Sequence, residues 1–168
     1  MRLYLFRHGI AADRADPTCP PDPNRPLTEK GIRRTRLAAA GFARLCPDID
    51  LVITSPYERA LQTTDILLQE LELGEVDFIK TDAAVPEADP GVIAADLPDW
   101  FGRLGVLLVG HAPHLDSLMA LLLGVPGGIG RLKKAAVAEL DWDGETWSLI
   151  GMYPPRALRI LGYDLSDG

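Results

Sequence analysis

The sequence predicts an α/β protein: a three-layer α/β/α sandwich built on a mostly parallel central sheet, with at least one antiparallel strand near the C-terminus. Three observations predict it. Apolar runs at residues 3–6, 51–54 and 106–109 lack the polar alternation of a one-sided strand, as parallel strands covered on both faces do. Helical patterns separate these runs, giving the order βαβα(β)αβα. Toward the end, residues 135–141 and 146–152 flank Asp143 and Gly144, a hairpin signal that brings antiparallel pairing.

Each element has a local reason. The first strand runs straight into Arg7, His8 and Gly9. Residues 10–26 then carry five of the fourteen prolines and are expected to run as an extended loop, leaving the sheet at the carboxyl edge where open α/β sheets bind ligands. From Thr28, one apolar or small stripe recurs at Ile32, Thr35, Ala39, Phe42 and Ala43, with Arg33, Arg34 and Arg36 on the solvated face. After the second strand, Ser55 is placed to cap a helix, Pro56 to occupy its first position and Glu58 to complete a capping box. The stripe of that helix is Ala60, Thr64, Leu67, Leu68 and Leu71. A less regular helical pattern covers residues 90–104, and a helix from Pro113 presents Leu115, Leu118, Met119 and Leu122 before Gly124 closes it.

The totals bound the function. A chain of 168 residues, 47% hydrophobic and 24% charged, is expected to form one globular domain spanning residues 1–168. A net charge of −7 argues against a nucleic-acid surface, so any positive site must be local. The N-terminal apolar run is shorter than the about 7 residues of a signal-peptide core and the about 18 of a membrane span, so a cytoplasmic protein without membrane contact is expected. Cys19 and Cys46 form no C-x-x-C pair and no cluster with the three histidines, which points to free thiols rather than a disulfide or zinc site. No ligand-spaced cluster of Cys, His and carboxylates points to a bound metal.

Chemistry concentrates at three strand-to-helix junctions. Arg7 and His8 end the first. In "SPYERALQT", residues 55–63, Arg59 falls in the first turn of a helix, where side chains lean back toward the strand end. In "LLVGHAPHL", residues 107–115, Gly110 gives a tight exit and His111 faces the same rim, whereas His114 lies one turn into a helix and is left out of the site. Two arginines, two histidines and nearby helix N-termini on an acidic protein make a phosphate-shaped site, because the guanidinium fork suits two phosphate oxygens at once.

These motifs together resemble the histidine phosphatase superfamily, which includes the cofactor-dependent phosphoglycerate mutases. Arg7-His8-Gly9 matches its Arg-His-Gly, residues 55–63 its Ser-Pro-x-x-Arg-Ala-x-Gln-Thr, Gly110-His111 its later Gly-His, and "RPLTEKG" at residues 25–31 its Leu-Thr-x-x-Gly helix start. The similarity extends from residue 2 to residue 125, and by length the chain looks most like the short SixA-type phosphohistidine phosphatases. The resemblance implies a two-step phosphoryl transfer that needs neither a metal nor an organic cofactor. His8 is the implied nucleophile, and Arg7, Arg59 and His111 the implied holders of the phosphoryl oxygens, with Gly9 and Ala112 as substrate-contacting neighbours.

The family's glutamate general acid has no clear counterpart. "VPEADPG", residues 85–91, offers Glu87 and Asp89, and Asp89 also stands where it would cap the helix that Pro90 opens. Asn24 lies too deep in the loop to take the role of the asparagine that often follows Arg-His-Gly. A phosphohistidine leaves as neutral imidazole and needs less acid help than an alkyl phosphate. The expectation is therefore a phosphatase acting on phosphohistidine carried by a partner protein. The alternatives are a phosphatase for a small phosphomonoester or nucleotide and, from another class, a non-catalytic phosphate-binding module. Mutase activity is disfavoured, since it needs a closed pocket that keeps water from the phosphoenzyme.

Overall fold

The computed structural model describes residues 1–45 and 47–163, so the expectation of a free thiol at Cys46 lies outside the described residues, whereas Cys19 is free. Its six strands are β1 (Arg2–Arg7), β2 (Leu51–Thr54), β3 (Asp77–Lys80), β4 (Gly105–Gly110), β5 (Val137–Trp142) and β6 (Trp147–Tyr153). They form one sheet in the order β3-β2-β4-β1-β5-β6. The β3–β2, β2–β4 and β4–β1 pairs are parallel, while β1–β5 and β5–β6 are antiparallel. Mixed pairing near the C-terminus is what the hairpin signal implied, with Gly144 at φ +111 in its turn.

Helices cover both faces because successive strand residues point to opposite sides. Leu3, Leu5, Ile53 and Leu108 pack with Ile93 of α3 (Pro90–Asp96) and with Leu115, Leu118 and Met119 of α4 (His114–Leu122). Tyr4, Phe6, Val52 and Val109 pack on the other side with Ala38, Ala39 and Phe42 of α1 (Glu29–Ala43), Ala60 and Leu67 of α2 (Glu58–Glu70), and Leu158 of α5 (Pro155–Gly162). All of these side chains are buried, which explains the unbroken apolar runs. No helix among the described residues is long and apolar enough to cross a membrane.

Four differences from the sequence reading have physical causes. The helix expected over residues 90–104 ends at Asp96 and tightens into a 3₁₀ turn at Leu97–Trp100, because Pro98 has no N–H to continue the α-helical ladder. Helix α2 starts at Glu58, three residues after the expected cap; the Ser55 hydroxyl accepts the Tyr57 amide at 3.3 Å, and Glu58 bonds Gln62 at 2.8 Å rather than closing a capping box. Residues 10–26 do not simply extend but close on their own base, where Ala11 bridges Leu27 and the Thr28 amide donates to the Ile10 carbonyl at 2.9 Å. Helix α5 was not foreseen; it lies so close to α1 that a Cβ at Gly41 would sit 1.8 Å from the Leu158 carbonyl oxygen.

Candidate active site

Strand register brings the junctions together. Arg7 pairs with Gly110 across β1–β4, and Thr54 with Val109 across β2–β4, so His8, Ser55 and His111 leave the sheet at one level. The His8 amide donates to the Gly110 carbonyl at 3.0 Å, and the Ser55 amide to the Val109 carbonyl at 3.1 Å, extending the ladder past the last strand residues. The first turn of α2 then swings Arg59 inward, where it is 1% exposed despite its charge.

The structure therefore brings Arg7, His8, Arg59 and His111 to one cavity of about 760 Å³, which Ala112 also lines. His8 is buried, and its Nδ1 lies 2.7 Å from the Gly9 carbonyl oxygen. A carbonyl only accepts, so the proton sits on Nδ1 and the lone pair on Nε2. The Arg59 Nε–H donates to that lone pair at 3.3 Å, in agreement with this tautomer. Burial, and next the positive Arg59, lower the His8 pKa to about 3, so the imidazole is neutral at ordinary pH.

His111 lies 4.9 Å from His8 between ring centroids and pairs through Nε2 with the Ser55 hydroxyl at 2.9 Å. Among the described residues the single hydrogen of that hydroxyl, which also accepts the Tyr57 amide, has no acceptor but Nε2, and this places the ring proton on Nδ1. Burial, then His8 and Arg59, bring its pKa down to about 2. His111 Nδ1 and Arg7 Nε are buried with no protein partner, while Arg7 Nη1 is fixed by the Leu132 carbonyl at 2.6 Å.

Gly9 takes a different place from the one expected. Its amide donates to Thr63 Oγ1 at 3.1 Å and its carbonyl holds His8, so both of its backbone groups are engaged by protein. A Cβ there would meet Thr35 Oγ1 at 2.2 Å, so a larger residue would have to displace the buried Thr35 side chain. Glu87 is exposed and accepts from the Tyr57 hydroxyl at 3.2 Å; the Tyr57 ring packs edge-on against His111 at 5.2 Å and lies 5.0 Å from the Arg59 guanidinium carbon. Asp89 accepts from the Gly91 amide at 2.8 Å and caps α3. Neither carboxylate lines the cavity, although Pro86 beside Glu87 does.

Several site residues had no readable signal. Asp22, in the proline-rich loop, accepts from Arg59 Nη1 through its carbonyl at 2.7 Å and from Nη2 through its carboxylate at 3.1 Å. Its carboxylate also binds Arg25 at 2.7 Å and Arg14 at 2.8 Å. Arg25, quoted above only as part of a helix start, lines the cavity, as do Lys30 and Lys134. The Gln and Thr ending the α2 motif prove to be braces: Gln62 accepts the Leu27 amide at 2.7 Å, and Thr63 ties Gly9 to the Arg59 carbonyl. Among the described residues, no three His, Cys, Asp or Glu side chains cluster as metal ligands.

Comparison with known proteins now gives this geometry a family. The sequence matches the histidine phosphatase superfamily (branch 1) over residues 3–100. The chain belongs to the histidine phosphatase superfamily. It is 41% identical over 143 residues to an uncharacterized protein of a Picosynechococcus species, covering 83% of this chain and 84% of the relative. With the phosphohistidine phosphatase SixA of Escherichia coli it shares 32% identity over 130 residues, 73% of this chain and 74% of SixA. The structure of the protein histidine phosphatase SixA complexed with tungstate superposes with a TM-score of 0.83 at 28% identity, covering 94% of this chain and 99% of that one. The chain is thus SixA-like, and these similarities support a phosphatase.

Proposed function

We propose that this histidine phosphatase superfamily member removes the phosphoryl group from phosphohistidine on a partner protein, through a covalent phosphohistidine at His8. The observation that carries the reading is the His8 side chain itself: a neutral imidazole with its Nε2 lone pair turned to Arg59 at 3.3 Å in a cation-lined cavity. In the first step, Nε2 attacks phosphorus in line, the bond from phosphorus to the substrate imidazole nitrogen breaks, and the leaving imidazole keeps the electron pair. In the second, water attacks the same phosphorus, the bond to Nε2 breaks, and inorganic phosphate leaves with His8 restored.

Arg7, Arg59 and His111 supply the electrostatics. The buried, unpartnered Arg7 Nε and His111 Nδ1 are donors that phosphoryl oxygens would satisfy, and Arg59 turns from the Nε2 lone pair to the oxygens as phosphorus arrives. Charge compensation by these groups is why we propose metal-independent turnover. The position of the carboxylates favours a phosphoramidate over an alkyl ester: Asp89 is committed to its cap, and Glu87 stands outside the cavity. A second reading, a phosphatase for a small phosphomonoester, rests on the Tyr57–Glu87 hydrogen bond, since Tyr57 touches His111 and would bring Glu87 to the cavity edge as acid.

The test is rapid quench with 32P-labelled phosphohistidine substrate. An acid-labile, base-stable phosphoenzyme is expected in the wild type and absent in His8→Ala, which unfolds at a similar temperature but has no turnover. Retained turnover in His8→Ala, or phosphate affinity without any turnover in the wild type, contradicts the mechanism.

A further inference from the structure

The cavity holds more positive charge than a phosphoryl group can use. Six cationic side chains line it, Arg7, Arg14, Arg25, Lys30, Arg59 and Lys134, on a chain whose net charge is −7. The opposing carboxylates are Asp13, which also lines it, and Asp22, already shared by Arg14, Arg25 and Arg59. A phosphoryl group brings about two negative charges near neutral pH, so a surplus of about two positive charges remains.

The surplus sits on two lysines that the fold does not otherwise employ. Lys30 is in the first turn of α1, where the helix dipole opposes a cation, so helix stability does not account for it. Lys134 is exposed on the approach to β5; partial desolvation of its ammonium, then the nearby Arg7, Arg25 and Arg59, lower its pKa against the opposing pull of Asp13. Among the described residues neither lysine has an ion-pair partner.

We propose that Lys30 and Lys134 form a second anion subsite on the rim, and that the partner it fits is an acidic stretch of protein flanking the phosphorylated residue. This rests on the reading of the site as a phosphatase for a protein-borne phosphoryl group. An acidic segment rather than a small anion is favoured because both lysines are exposed at the cavity edge rather than buried within it, where a chain passing over the mouth would meet them. Such rim charges steer encounter and act on kcat/KM with a strong salt dependence.

The experiment compares the wild type with Lys30→Gln/Lys134→Gln on four kinds of substrate: free phosphohistidine, a phosphopeptide with neutral flanks, one with Asp and Glu flanks, and a small alkyl bisphosphate. Both peptides are made in phosphohistidine and phosphoserine forms, and thermal unfolding controls for folding. In the wild type at low salt, kcat/KM for the acidic peptide should exceed that for the neutral one by about tenfold or more. The double variant and 200 mM salt should each erase that advantage, while free phosphohistidine and the neutral peptide lose several-fold less than the acidic peptide. No preference for acidic flanks, an equal loss on every substrate, or a loss confined to the small bisphosphate would overturn the proposal. Failure of the phosphohistidine reading shows separately, as turnover of the phosphoserine forms alone; the rim is then judged on that peptide pair by the same criteria.

Discussion

Lowering the pH from 7 to 5 is expected to remove about 4 kcal/mol of folding stability through His8 and His111. In the folded chain burial and neighbouring cations hold these pKa values near about 3 and about 2, whereas an unfolded histidine titrates near 6.5. Between these limits the unfolded state binds two protons that the folded state refuses, so stability is fully present above pH 6.5 and falls as the pH drops below it. The slope is about 3 kcal/mol per pH unit once both unfolded histidines are protonated, and integration from pH 7 to 5 gives about 2 kcal/mol for each. His114, lowered in the same direction by burial, adds to the loss. Carboxylates held low, such as Asp22, start from 3.8 and contribute only below about pH 4, which leaves the window between 5 and 7 to the histidines. The assay is urea unfolding at pH 7, 6 and 5 at constant ionic strength, with the same series on His8→Asn and His111→Asn, each of which should recover about 2 kcal/mol of the loss. Stability at pH 5 within about 1 kcal/mol of that at pH 7 would refute a buried neutral nucleophile, as would variants that keep the full pH dependence.

Three further outcomes follow from the site. Asp22→Asn keeps the carbonyl bond to Arg59 but removes the charge shared by three arginines; kcat should fall about tenfold while inorganic phosphate binds at least as tightly, and a fall in melting temperature with kcat unchanged would reduce Asp22 to a structural role. Glu87→Ala and Asp89→Ala should each cost less than about tenfold with phosphohistidine, against the hundredfold or more of a lost general acid, and Asp89→Ala should also lose about 1 kcal/mol of stability with its helix cap. An alkyl phosphate is the contrasting substrate, and a drop of several hundredfold with phosphohistidine would favour the ester reading. Turnover should persist after dialysis against EDTA and be inhibited competitively by vanadate; loss in EDTA that a divalent metal restores would sink metal independence.

Local pattern alone determined three of the four parallel strands, β3 being an exposed edge without an apolar run, together with the helices between them and the concentration of Arg7, His8, Arg59 and His111 at strand ends. Strand runs and helical stripes are short-period signals, and in a parallel sheet a residue just past a strand has only one edge to occupy. Tertiary structure decided what those residues are able to do. Asp22 reaches Arg59 across 37 residues from a loop with no periodicity, and α5 docks on α1 only because Gly41 and Gly162 admit backbone at close range. The cap that Asp89 puts on α3 was legible from Pro90 beside it, whereas the Tyr57 contact that holds Glu87 was not. The charge state of His8 was beyond the sequence for the same reason. Desolvation is a collective property of everything packed around a group, and no stretch of chain carries it by itself.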